Sequence, residues 1–147
     1  MPINYQTDIA RHVKYPHHRI IISKMVIDVM RMLTSTYFEV ESFGSSVDEI
    51  LLVIAVFIGQ AEGRPLNAYK LSSFVGIPRA TVIRKMKRMQ KHRYVEQDES
   101  GKYLLPIAAL NSRNVINTLA AVVRRIVDTG HQLSKMDSVK LERRATE

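Results

Sequence analysis

Apolar residues recur with a helical period from about residue 19 onward. At about 100° per residue, Ile22, Met25, Val26, Val29, Leu33 and Val40 share one face, Ile21 and Met32 widen it, and Lys24, Asp28 and Arg31 lie opposite. The first 18 residues, with Pro2, Pro16 and the adjacent His17 and His18, keep no sustained period and read as an arm or a short capped turn. Glu41 to Ser46, with Gly44, is a break, and Ser46-Val47-Asp48-Glu49 has the spacing of a capping box at the start of a second helix. That helix, Ile50 to Gln60, is apolar on every side and is expected to be surrounded by other elements, at the centre of the core. Ala61-Glu62-Gly63-Arg64-Pro65 ends it, and Pro65-Leu66-Asn67 suits a short extended segment before a helix over Ala68 to Val75.

Gly76-Ile77-Pro78 separates this short helix from a longer one, Arg79 to His92, in which Val82, Met86 and Met89 form one face. Tyr94-Val95-Glu96-Gln97, a polar turn Asp98-Glu99-Ser100-Gly101, and Lys102-Tyr103-Leu104-Leu105 read as a β-hairpin closed by Pro106. Asn111 or Ser112 then caps a long helix to about Met136. Ile116, Leu119, Ala120, Val123 and Val127 make one of its stripes, and Val115, Val122, Ile126 and Leu133 another. The polar end from Asp137 is expected to fray. No repeat and no linker interrupts this order. The expectation is a mainly α fold with one small hairpin.

The 147 residues, 46% hydrophobic and 24% charged, have an ordinary globular composition. Absence of cysteine excludes disulfides, thiolate metal sites and cysteine nucleophiles. Met1 to Ile9 lacks a signal-peptide pattern, and the longest apolar run, Ile50 to Ile58, is half of a bilayer span, so no membrane partner and a cytoplasmic location are expected.

Charge sharpens the picture. The formal net charge is +8, and seven units lie between Arg79 and Arg93, where Arg79, Arg84, Lys85, Lys87, Arg88, Lys91 and Arg93 occur without an acid. The remainder of the chain is nearly neutral. A one-sign patch of this kind suits a polyanion, of which double-stranded DNA is the commonest.

The patch falls on the second helix of what reads as a winged helix-turn-helix. Leu71, Val75, Ile77 and Val82 supply the apolar positions that lock two short helices, Ser72 is small where they approach, and Gly76 suits a left-handed turn. On the wheel Ala80, Arg84, Lys87 and Lys91 point outward, with Thr81 and Arg88 at one flank. Arg79, Ala80, Thr81 and Arg84, in the first two turns, are the expected base-edge contacts, since Arg bonds guanine bidentately and the methyls of Ala and Thr pack on thymine. Lys87, Arg88 and Lys91 are expected on phosphates. Asn67, Tyr69 and Lys70 open the preceding helix, a further phosphate site, and Lys102 of the hairpin would follow the backbone or the minor groove. Asp98 and Glu99 at its tip argue against deep insertion.

With Gly76-Ile77-Pro78-Arg79-Ala80-Thr81-Val82-Ile83-Arg84, then Met86, Met89 and Tyr94-Val95, the chain resembles bacterial winged-helix transcription regulators, and its element order is similar to that of the MarR family. The motif spans about residues 47 to 105. A likeness to the N-terminal module of IclR-type regulators covers the motif alone. The MarR resemblance implies a homodimer in which residues 1–46 form an arm and dimerisation helix, 47–106 the winged helix-turn-helix DNA-binding region, and 107–147 a C-terminal dimerisation helix and polar tail. Pro78 departs from the serine N-cap such motifs often carry. Independently of the family, the apolar arc of the C-terminal helix spans about 160°, wider than the roughly 100° one core needs, so a two-fold partner is expected to cover it. Two half-sites ~34 Å apart would follow.

The alternative function is a winged-helix protein-interaction module without specific DNA binding. His17 and His18 read as arm residues rather than metal ligands, and no cofactor is expected. The seven methionines read as core fillers, although a methionine-lined cavity could accept a small apolar effector. There is no phosphate loop, no zinc-protease motif, and the serines at 45, 46, 72 and 73 have no adjacent base, so no enzyme is expected.

Overall fold

The computed structural model describes residues 12–37 and 43–145. Their elements are α1 (Pro16–Tyr37), α2 (Phe43–Ala61), α3 (Ala68–Val75), α4 (Arg79–Lys91), β1 (Glu96–Gln97), β2 (Tyr103–Leu104), a single turn α5 (Ile107–Leu110) and α6 (Arg113–Ala145). The protein is mainly helical, with one two-stranded antiparallel sheet. The sequence expectations for positions 1–11, and those for Val40 and Glu41, lie outside the described residues. No described helix is long and apolar enough to cross a membrane.

The chain divides into two compact units, Met30–Ala120 and the pair of segments Met1–Val29 and Ala121–Glu147. The first holds the core. Ile50, Leu52, Val53, Ala55 and Val56 of α2 are buried with Leu71, Ile77, Val82, Met86, Met89, Val95, Tyr103 and Leu105. Burial of each large aliphatic side chain here contributes about 1.5–3 kcal/mol. The all-round apolar character of α2 is only partly used, because α3, α4 and β2 pack on it and leave Leu51, Ile54 and Phe57 37–46% exposed. This corrects the expectation of a fully surrounded helix.

A second correction concerns where α2 begins. It starts at Phe43, so Asp48 and Glu49 lie inside the helix rather than in a capping box at its end. Its other end closes with the N–H of Gly63 on the carbonyl of Gln60 and that of Arg64 on Gly59, the paired bonds of a Schellman ending. The same pair ends α4, from Arg93 to Gln90 and from Tyr94 to Met89. There the left-handed position is taken by Arg93 at φ 59° instead of a glycine, a strain of about 1–2 kcal/mol.

Gln97 pairs with Tyr103 and Glu96 with Leu104 in the hairpin, whose ladder is shorter than the expected strands. Leu66 and Asn67 form the extended segment read from the sequence and lie along β2. The Tyr103 N–H donates to the Leu66 carbonyl at 2.9 Å, and Asn67 bridges Lys102. At the exit of the hairpin the Gln60 amide serves as a backbone substitute: its Oε1 accepts from the Leu105 N–H at 2.8 Å and its Nε2 donates to the Leu105 carbonyl at 3.2 Å.

In the other unit, Arg125 of α6 donates to Asp28 of α1 at 2.9 Å and to Thr129 at 3.0 Å, and His18 meets Asp137 at 3.0 Å. Asp28 is therefore engaged, while Ile22 and Val26 of the apolar stripe on α1 are exposed. The helix α6 continues through the segment expected to fray, as far as Ala145.

Gln60→Ala removes both partners of a buried backbone unit, so it is expected to lower unfolding stability by about 1–3 kcal/mol in chemical denaturation. An unchanged midpoint would contradict the bracing role of Gln60.

Candidate nucleic-acid interface

The junction of α3 and α4 is fixed by polar groups that the local sequence supplies. Asn67 caps α3, its Oδ1 accepting from the Lys70 N–H at 3.0 Å. At the other end Gly76 adopts φ 77°, a left-handed conformation that costs glycine no Cβ clash, and its N–H donates to the Ser72 carbonyl. The Ser72 hydroxyl reaches across the turn to the Ile77 carbonyl at 2.7 Å. Pro78 precedes α4 with no side-chain cap bond, as its chemistry dictates.

Val82, Met86 and Met89 then face the core, as the helical period requires, and turn the opposite side of α4 to solvent. Arg79, Ala80, Arg84, Lys87 and Lys91 are exposed there, Thr81 is half-buried, and Arg93 is exposed just past the helix. Tyr69 and Lys70 are exposed on α3. Asn67 is half-buried and its side-chain oxygen is engaged in capping, whereas Lys102 is half-buried within the hairpin.

Two cations of the basic window are used inside the protein. Lys85 stands three residues after Val82 and four before Met89, on the core side of α4, with 12% of its side chain exposed. Its ammonium donates to Glu49 Oε1 at 2.9 Å and lies 3.6 Å from Asp48. The Arg88 guanidinium, expected on a phosphate, donates to the same Glu49 oxygen at 2.7 Å while 43% of its side chain stays exposed. Glu49 itself is 1% exposed. The acid pair reads as helix capping in the sequence, whereas in the structure it pairs with Lys85 and Arg88. A wheel of α4 carries the signal, since a lysine on its apolar face requires an acid opposite it.

The hairpin tip is organised by Asp98. Its Oδ1 accepts from the Ser100 N–H at 2.9 Å, the Ser100 hydroxyl at 2.8 Å and the Lys102 N–H at 2.9 Å. The Lys102 N–H first, then the Ser100 hydroxyl, hold its carboxyl below the ordinary aspartate value. Glu96 and Glu99 are exposed beside it, so the tip presents acids.

Met86 and Met89 are fully buried core residues. A cleft of about 90 Å³ is lined by Leu33, Tyr37, Ile50, Val53, Ile54 and Phe57, without a methionine. It therefore does not match the methionine-lined effector cavity read from the sequence. Among the described residues no three His, Asp or Glu side chains gather as a metal site.

A carboxyl held low favours the folded turn at every pH above the ordinary aspartate value, and that contribution is lost as pH falls through the lowered value. Amide hydrogen exchange at Ser100 and Lys102 is expected to accelerate below that point, and at neutral pH in Asp98→Ala, with Val82 unaffected. Exchange at both amides unchanged in Asp98→Ala would contradict the turn's dependence on this carboxylate.

No protein-family model, curated protein or solved structure matches the chain.

Proposed function

We propose that the protein is a sequence-specific double-stranded DNA-binding transcription regulator of MarR-like architecture, acting as a homodimer on a pseudo-palindromic site. In this reading α3 and α4 are the helix-turn-helix, β1 and β2 its wing, and α4 the recognition helix. One observation carries it: Arg79, Arg84, Lys87, Lys91 and Arg93 stand exposed along one helix and its exit, within a window that contains no acid. Arg79, Ala80, Thr81 and Arg84 lie where a recognition helix meets base edges, and Lys87 and Lys91 where it leaves the groove. Tyr69 and Lys70 flank the same backbone. The acidic wing tip supports only a shallow wing contact through Lys102.

Homodimerisation is supported by apolar surface. In the unit that contains the N-terminal part of α1, Ile20, Ile22, Val26, Ile27, Val123, Ile126 and Val127 are each roughly half-exposed. Along α6, Ile116, Leu119, Val123 and Ile126 follow one another at intervals of 3, 4 and 3 residues, the spacing of a coiled-coil seam. Exposed apolar side chains of this number favour an interaction site. A second copy, meeting the same surface about a two-fold axis, would cover it and present two recognition helices.

Arg84→Ala is expected to lose ~1–3 kcal/mol on a duplex selected from a random pool and to relax one base position. Lys91→Ala is expected to weaken all duplexes alike and to lower the salt slope by about one. Equal losses on selected and random duplexes for both variants would contradict the assignment of Arg84. A monomer by light scattering at micromolar concentration would remove the two-half-site geometry. Absence of duplex binding at low salt would leave a protein-interaction module, with exposed Tyr69 and Phe74 of α3 as its apolar contacts.

A further inference from the structure

We infer that Glu49 is a positioning residue for sequence recognition: by holding Lys85 and Arg88 on one buried oxygen, it fixes the rotation of α4 and hence the aim of Arg84 and Lys87. The inference rests on the DNA-binding reading above and adds a specificity determinant from outside the basic helix.

The apolar contacts of α4 hold it against the core but are less directional than hydrogen bonds. Two of its three core residues, Met86 and Met89, are unbranched side chains that adapt to shifted surroundings. The ionic contact is the opposite in character. Lys85 and Arg88 are three residues apart on one flank, and both donate to Glu49 Oε1, at 2.9 and 2.7 Å. Two donors one turn apart, converging on one acceptor, restrain both rotation about the helix axis and movement along it. Their immediate neighbours in sequence, Arg84 and Lys87, are on the exposed side. A rotation of 20° would carry groups at the helix surface through about 2 Å, enough to break a bidentate base contact.

The anchor is buried. Glu49 directly precedes the buried run of α2 that begins at Ile50, and is itself as buried as that run. Its Oε2 is also buried and finds no donor among the described residues. A buried ion cluster is a poor means of adding stability, since apolar residues of similar volume commonly do as well or better. What such a cluster provides here is direction.

The cluster also subtracts charge. Asp48 and Glu49 together balance Lys85 and Arg88, so the excess that reaches a polyanion is carried by Arg79, Arg84, Lys87, Lys91 and Arg93.

The test compares the full-length wild type, Glu49→Gln, and the double variant Glu49→Met/Lys85→Met on two probes: the selected duplex and a scrambled duplex of equal length. The double variant, with apolar side chains in place of the buried pair, is expected to melt no lower than wild type and to bind the scrambled duplex equally well. Its affinity for the selected duplex should fall about tenfold, the scale of one lost base contact. Glu49→Gln should lose the same discrimination, with a steeper salt dependence on both duplexes as Lys85 and Arg88 lose their counter-charge. If Glu49→Gln unfolds, the double variant carries the test. A folded double variant whose ratio of selected to scrambled affinity stays within about twofold of wild type overturns the inference alone. A wild type that binds neither duplex overturns the inference and the DNA-binding reading together.

Discussion

Burial of one strip of α2 is the constraint on which the 30–120 unit depends. Ile50, Leu52, Val53, Ala55 and Val56 need cover, and they receive it from α3, α4 and β2. Each covering element spends its apolar positions on that contact, which decides what it turns outward. For α4 the contact consumes Val82, Met86 and Met89, so the positions between them must face water or find a polar partner. The basic face is thus a consequence of the core, displayed by the helix that the core holds in place.

Glu49 is the polar exception on this strip, and it changes how the basic window is counted. Seven cations in sequence become five that are free of the Asp48 and Glu49 cluster. The two that are withdrawn connect the charged helix to the centre of the core. In the proposed DNA-binding function, affinity for a polyanion and definition of the helix would therefore draw on different members of one charge run. There, long-range attraction would depend on the exposed five, and geometry on Lys85 and Arg88, which share the buried Glu49.

The elements legible in the sequence are those set by short-range patterns. The helical spacing of Val82, Met86 and Met89, the glycine at the α3 exit and the extended Leu66-Asn67 segment all act within a few residues of themselves. Four features were less legible, for physical reasons. The partners of Glu49 lie 36 and 39 residues away, and His18 and Asp137 are 119 apart, so nothing local pairs them. The start of α2 lies earlier than the sequence suggests, because Ser46 to Glu49 has the spacing of a cap while the helix already begins at Phe43. The stripe on α1 records that Ile22 and Val26 suit an apolar contact, but periodicity does not say which chain provides it. The position of Arg93 in a left-handed helix ending had no glycine to announce it.

In the proposed function the exposed face of α4 is the surface that meets duplex DNA. Titration of isotopically labelled protein with the selected duplex, followed residue by residue in NMR spectra, tests it most directly. The largest perturbations are expected at Arg79, Ala80, Thr81, Arg84, Lys87 and Lys91, with the buried Leu52 and Val56 of α2 little changed. Perturbations that bypass α4 and gather instead on Leu51, Ile54 and Phe57, or no perturbation at any duplex concentration, would contradict it.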